Sequence, residues 1–123
     1  MYGEEDKELI LPAYLILIIF DKLIASTLNC SSVITSLHAF KKMVSRNITD
    51  DDVKMVIRDG EIIKEYPNDK PYPSKLLYKM IGERPIHVVA GQMDKAGKCV
   101  IITVYVAGED IWETDFKTKK KSK

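Results

Sequence analysis

The sequence of 123 residues lacks most of the features that identify a protein class at once. It has only two cysteines, Cys30 and Cys99, which lie far apart and match no metal-ligand spacing. Two cysteines make no disulfide framework, so the sequence predicts a reducing, cytoplasmic location. A phosphate-binding glycine loop, paired zinc ligands and a nucleophile elbow are also missing. We therefore expect neither a metal nor a cofactor.

A strong charge of one sign is missing as well. The net charge is +1, which by itself indicates no polyanionic partner. The distribution is nevertheless uneven, because residues 1–8 carry four acidic side chains against one lysine. Residues 36–48 carry three basic side chains and no acid, and residues 117–123 carry five lysines. The near-neutral total therefore hides a basic helix and a basic tail.

One long apolar run is present near the N-terminus. It covers residues 9–20, with the sequence LILPAYLILIIF, and Asp21 and Lys22 follow it. The run is shorter than the roughly 20 residues that a membrane-spanning helix needs. The acidic residues before it are not typical of a secretory signal. Three interpretations stay open: a segment packed on the domain, a membrane-associated segment over residues 9–28, and an extension outside the domain.

Two short helices are predicted after this extension. Over residues 36–46, four apolar side chains recur on one side at helical spacing, and the opposite side is polar. The four are Leu37, Phe40, Met43 and Val44. Asn47 suits the left-handed end of this helix, and Thr49 suits the first cap of a second helix that Gly60 ends.

Strand patterns dominate the remainder of the chain. The clearest are residues 61–66, 75–81, 85–90 and 98–106. The short turns between them indicate an antiparallel meander, and Val33–Ile34 is a further short strand. The predicted fold class is therefore α+β, with two N-terminal helices packed on a four-stranded antiparallel sheet. The helices cover one face of the sheet and leave the other partly open.

Several sequence blocks together resemble a known family. They read HAFKKMVSRNITDDDVKMVI, GEIIKEYPNDKPYPS, GERPIHVV, IITVY and DIWETDFKTK, in that order. This closely resembles the bacterial domain-of-unknown-function family 4258 from about Val33 to Lys119. Residues 1–30 are then an extension outside the match, residues 31–119 the domain and residues 120–123 a basic tail.

The resemblance also implies a fold and a function. The family is grouped with small RelE/ParE-like toxins, the barnase-EndoU-colicin-RelE group, which implies a RelE-like or barnase-like layout. It implies RNA, including ribosome-bound mRNA, as the target and a zinc-finger antitoxin as the partner. The family usually has arginine where Lys42 stands in this chain.

The chemistry of RNA cleavage selects candidate catalytic residues. Without a metal, cleavage needs a base for the 2′-hydroxyl proton, an acid for the leaving oxygen and cations for the phosphorane. Histidine suits the first two roles, and lysine and arginine suit the third. The chain has only two histidines, and both lie near basic residues. The predicted catalytic set is His38, Lys42, Arg46, Arg84 and His87.

Further side chains are predicted to bind the RNA. Tyrosines can stack on bases and lysines bind phosphates, which selects Lys41, Tyr66, Tyr72 and Tyr105. Trp112 and Phe116 are instead predicted to dock the C-terminal tail on the sheet. The leading function is a small ribonuclease toxin of a toxin-antitoxin pair. The alternative is a non-catalytic RNA- or protein-binding domain, and a third interpretation is a membrane-attached form that uses residues 9–28.

Overall fold

The computed structural model describes residues 28–121, in which two helices and five strands form. In chain order these are β1 Ser32–Thr35, α1 Leu37–Arg46, α2 Asp50–Asp59, β2 Glu61–Tyr66, β3 Ser74–Ile81, β4 Arg84–Gln92 and β5 Lys98–Val106. Neither of these two helices is long and apolar enough to cross a membrane. The apolar run over residues 9–20 lies outside the described residues, so its three interpretations stay open.

The sheet is mixed, with the strand order β1-β5-β4-β3-β2. Strands β2 to β5 form the predicted antiparallel meander. Strand β1 pairs parallel with β5, from Ser32 opposite Lys98 to Thr35 opposite Ile101. The α+β class is thus confirmed, but the sheet is mixed and has five strands, where a four-stranded antiparallel sheet was predicted. Turn patterns reveal only neighbours in sequence, whereas β1 pairs with a strand at the far end of the domain.

The helix ends follow the predicted capping chemistry. Asn47 adopts the left-handed conformation after α1, with φ of 55°. The Thr49 side chain accepts a hydrogen bond from the Asp52 backbone, and the Asp52 side chain accepts one from the Thr49 backbone. This reciprocal pair begins α2 and satisfies two backbone donors that the helix itself cannot.

Both faces of the sheet are covered in the described part of the chain. The helices pack on the face that carries Ile86 and Val88, where the main apolar core forms. Residues after β5 cross the opposite face, where Trp112 and Ala107 are buried on Leu76. The predicted docking of the tail through Trp112 is confirmed. The face opposite the helices, which was predicted to be partly open, therefore has less exposed surface than the sequence indicated.

The orientation of α1 differs from the sequence prediction. Ala39 and Met43 are its buried residues, with 0% and 7% of their surfaces exposed. Three of the four predicted apolar residues instead face outward: Leu37, Phe40 and Val44 are 68%, 56% and 67% exposed. The expectation that this side packs on the sheet is wrong for those three. Helical spacing identifies an apolar side but not the neighbour that covers it.

A disulfide joins Cys30 to Cys99. The low cysteine count, from which a reducing location was predicted, therefore does not leave these two cysteines unpaired. The parallel pairing of β1 with β5 brings the chain just before β1 to the start of β5, and spacing along the sequence could not show this. Backbone amides of Ser31 and Ser32 also donate to the Gly97 carbonyl at 2.9 and 3.0 Å. The disulfide thus fixes β1 at the edge of the sheet.

Breaking this disulfide is expected to lower the stability of the domain. The bond closes a loop of 69 residues, and loops of this kind contribute about 2–4 kcal/mol to the free energy of unfolding. Urea unfolding with and without a reductant measures the loss. The Cys30→Ser variant is the control, because a reductant should not change its unfolding midpoint. An unchanged midpoint in the reduced wild-type protein would contradict the expectation.

Candidate functional site

Two adjoining cavities lie where the C-terminal residues cross the sheet, and they share Tyr105, Trp112 and Lys119 as lining residues. The first, of about 400 Å³, is lined by Ile63, Lys64, Tyr66, Leu76, Tyr105, Trp112, Lys117, Thr118 and Lys119. The second, of about 440 Å³, is lined by Lys42, Arg46, Tyr105, Val106, Gly108, Asp110, Ile111, Trp112 and Lys119. We refer to the two together as the basic cleft.

Cationic side chains dominate this lining. They are Lys42, Arg46, Lys64, Lys117 and Lys119. Asp110 is the carboxylate among the lining residues of the second cavity, and Glu61 lies 3.3 Å from the Lys117 ammonium. Positive charge therefore exceeds negative charge around the cleft, and such a cleft attracts anions.

Helix α1 supplies two of these cations. Lys42 and Arg46 are one turn apart, so they lie on the same side of the helix. The contacts of Ala39 and Met43 with the core turn this side toward the end of β5. The structure thus brings Lys42 and Arg46 together with Tyr105, as three of the predicted residues in one cavity.

Tyr105 lies at the centre of the cleft, and its hydroxyl holds its proton firmly. Burial raises the pKa of Tyr105 to about 12, and the nearby Tyr66 adds to this effect. Tyr66 lines the first cavity, and the Lys64 ammonium lies 5.6 Å from the centre of its ring. At neutral pH Tyr105 is therefore a hydrogen-bond donor and not a base.

His87 supports Tyr105 from beneath the C-terminal residues. It is fully buried among aromatic rings, with its ring centre 4.5 Å from that of Trp112. Its Nε2 lies 2.7 Å from the Phe116 carbonyl and its Nδ1 lies 3.1 Å from the Tyr105 hydroxyl. A carbonyl can only accept, so Nε2 carries the proton and Nδ1 accepts from Tyr105. His87 is not among the residues that line the cleft.

The remaining predicted residues lie apart from the cleft lining. His38 is exposed on α1, with Nε2 3.1 Å from the Thr103 hydroxyl, and Lys41 is exposed on the same helix. The Arg84 guanidinium donates to the Asn47 carbonyl at 3.0 Å and so ties β4 to the end of α1. Its Nη2 atom is buried with no partner among the described residues. Arg84 and His87 do not meet, as strand alternation indicated.

Tyr72 lies at the opposite end of the sheet from Tyr105. Strand pairing sets Ser74 opposite Gly91, and the Tyr72 side chain packs beside Gly91. Tyr105 is instead paired with His87. Tyr72 and Tyr105 are therefore separated along the strands and do not share a cavity.

Among the basic and aromatic lining residues, four had no place in the predicted site: Lys64, Lys117, Lys119 and Trp112. Lys64 could have been found from the sequence, because it is two residues from Tyr66 on β2 and residues two apart on a strand share a face. The other three belong to an irregular segment without periodicity. Only the packing of Trp112 on the sheet shows that the lysines after it line a cavity. Within residues 28–121, no three His, Cys, Asp or Glu side chains are grouped as a metal site would require.

Burial of His87 predicts a pH-dependent stability. Burial lowers the pKa of His87, partly offset by the hydrogen bond to Phe116. The unfolded chain then binds more protons than the folded one below a pH of about 6.5, the ordinary histidine value. The contribution of neutral His87 is therefore complete above that pH and is lost as the pH falls from it toward the lowered pKa.

Urea unfolding at several pH values, from about 6.5 downward, measures the effect. The free energy of unfolding of the wild-type protein should fall as the medium becomes more acidic. His87→Gln is the matched variant, because its side chain does not titrate and its curve should be flatter in this window. Parallel curves for the two proteins would show that His87 does not titrate differently in the folded state.

The family is established by comparison. The profile of DUF4258, described as "Domain of unknown function", matches residues 35–106. This match covers more than half of the chain, so the protein belongs to this family. It extends from the end of β1 to the end of β5 and includes Lys42, Arg46 and Tyr105. No curated protein and no solved structure matches the chain.

Proposed function

We propose that the protein binds RNA in the basic cleft and cleaves it without a metal, as a small ribonuclease toxin. One observation carries this proposal: five cationic side chains surround Tyr105 and Trp112 in two adjoining cavities. Lysine and arginine bind backbone phosphates, and aromatic rings stack on unpaired bases. A cleft lined by both cationic and aromatic side chains suits a single-stranded RNA.

The side chains of the cleft have separate roles in this proposal. Lys42 and Arg46 hold the phosphate and stabilise the charge that develops on it. The Tyr105 hydroxyl donates its one proton to His87, so it is the Tyr105 ring that contacts the RNA, by stacking on a base. His87 orients that hydroxyl as a positioning residue.

Proton transfer in cleavage needs a separate group. The RNA 2′-oxygen attacks phosphorus and the 5′-oxygen leaves, so a base takes one proton and an acid supplies another. His38 is one turn before Lys42 on α1 and exposes its imidazole. We assign His38 the role of the base, which takes the 2′-hydroxyl proton of RNA that extends from the cleft along α1, and a water molecule supplies the proton to the leaving 5′-oxygen. Arg84 acts at a distance, because it fixes the end of the helix that presents Lys42 and Arg46.

A non-catalytic RNA-binding domain is the second candidate. It is favoured by the absence of histidine and cysteine from the lining residues of the cleft. Tyr105, with a pKa of about 12, is also a poor base at neutral pH. In either case a zinc-finger antitoxin that covers the basic cleft would block it. The disulfide from Cys30 to Cys99 is typical of an oxidising compartment, so the predicted cytoplasmic location is not part of this proposal.

Binding and cleavage of a labelled single-stranded RNA test the two candidates. Affinity should fall with salt, because each phosphate contact contributes a slope of about −0.7 in a plot of log K against log salt. Lys64→Ala should make that slope shallower by about 0.7. Cleavage that persists in a chelator supports the ribonuclease, and binding without cleavage of free or ribosome-bound RNA supports the binding domain. Absence of binding would contradict both.

A further inference from the structure

Helix α1 leaves an apolar surface open beside its basic side. Leu37, Phe40 and Val44 recur at helical spacing and are each more than half exposed. No residue between 28 and 121 covers them. Contiguous exposed apolar surface on a small domain usually marks a contact site. We refer to these three residues as the α1 apolar face.

A groove runs along this face toward the start of α2. It has a volume of about 380 Å³ and includes Phe40, Val44, Met43 and Ile48 in its lining. Met43 and Ile48 are nearly buried, at 7% and 4% exposed. The lining also includes the polar residues Thr35, Asn47 and Asp50. The apolar part of the groove, with its nearly buried floor beside Phe40 and Val44, suits aliphatic side chains from an added segment.

We propose that residues 9–20 of the same chain bind in this groove and cover the α1 apolar face. The segment LILPAYLILIIF has twelve apolar residues, and burying aliphatic side chains on the face removes both apolar surfaces from water. Charge agrees with this placement. Four acidic side chains lie in residues 1–8, just before the apolar run, and α1 carries Lys41, Lys42 and Arg46 beside its apolar face.

The chain is long enough for this contact. Thr35, which lines the groove, is seven residues from Leu28, where the described chain begins, so the two lie within roughly 24 Å of each other. Phe20 is eight residues before Leu28 and can reach about 27 Å from it. As a helix, the twelve residues would extend for about 18 Å, against about 15 Å for the ten residues of α1. One copy of the chain can therefore cover its own face.

A photo-crosslinking experiment on the full chain tests the proposal. Phe40 is replaced by p-benzoyl-phenylalanine, which its exposed position tolerates, and the irradiated protein is digested with trypsin. Lys7 and Lys22 flank the apolar run, so one tryptic peptide contains all of it. The expected product has the mass of one chain and joins position 40 to that peptide. The same probe at exposed Glu113, on the other face of the sheet, should not give it.

Other occupants of the face give different products. A product with twice the mass of the chain would assign the face to a second copy and overturn the proposal. An adduct with lipid, when vesicles of phosphatidylcholine and phosphatidylglycerol are present, would assign it to a membrane and also overturn it. The absence of any specific product would likewise overturn the proposal. In a chain with Leu15→Asp and Ile18→Asp, the intramolecular product should be lost, since a buried carboxylate without a partner opposes docking.

Discussion

Replacing Lys42 and Arg46 together by alanine is expected to weaken RNA binding by about 100-fold. A hydrogen bond to a charged group contributes about 1.5–3 kcal/mol, so each cation is worth roughly tenfold or more in affinity. The two side chains are one turn apart and line the same cavity, so they can hold neighbouring phosphate oxygens. If the protein is a ribonuclease, cleavage should fall by at least about 100-fold, because the same cations stabilise the phosphorane.

Helix α2 supplies a matched control for this experiment. Lys54 and Arg58 are also a lysine and an arginine one turn apart, but they lie away from the basic cleft. Each already has a carboxylate partner, Asp50 and Asp59 respectively. Alanine at both control positions removes the same charge and should leave affinity nearly unchanged. Equal losses for the two pairs would show that only net charge matters and would contradict a specific cleft.

Trp112→Ala is expected to lower the free energy of unfolding by about 3–5 kcal/mol, as large-to-small substitutions of buried aromatic residues do. Trp112 is 8% exposed and packs on the His87 ring and on the apolar residues of the outer sheet face. Its removal leaves a cavity beneath the C-terminal residues and uncovers His87. The loss should therefore exceed that of an ordinary surface substitution.

The neighbouring Ile111 provides the control for Trp112. Its side chain is 49% exposed, so Ile111→Ala should change the free energy of unfolding by less than about 1 kcal/mol. Urea unfolding of both variants gives the comparison. Similar losses at the two positions would contradict the conclusion that Trp112 anchors the C-terminal segment. A normal stability in Trp112→Ala would contradict it as well.

The sequence predicted those parts of the fold that depend on local chemistry. The end of α1 at Asn47, the first cap of α2 at Thr49 and the meander from β2 to β5 all depend on residues close in sequence. The parallel strand β1 and the disulfide from Cys30 to Cys99 depend on contacts between the two ends of the domain. Local patterns carry no information about such contacts.

In the candidate site, too, the sequence predicted what depends on local spacing and missed what depends on contacts between distant segments. Lys42 and Arg46 could be grouped from the sequence because helical spacing places them on one side of α1. Their proximity to Tyr105 and Lys119 depends on how α1 packs along β5. The apolar pattern of α1 did not predict this packing, because it indicated the wrong side of the helix as the buried one. Strand alternation places His87 on the face opposite Ile86 and Val88, but its burial follows from the irregular residues after β5.

The central claim is that RNA lies in the basic cleft, and ultraviolet crosslinking of the full chain to a single-stranded RNA tests it most directly. Stacked aromatic side chains form covalent adducts with bases, which peptide mass spectrometry assigns to residues. The account predicts adducts at Tyr66, Tyr105 or Trp112, which line the cleft, and their loss when Lys42 and Arg46 are both replaced by alanine. Adducts confined to Tyr72 or Phe40, or no adduct at all, would contradict it.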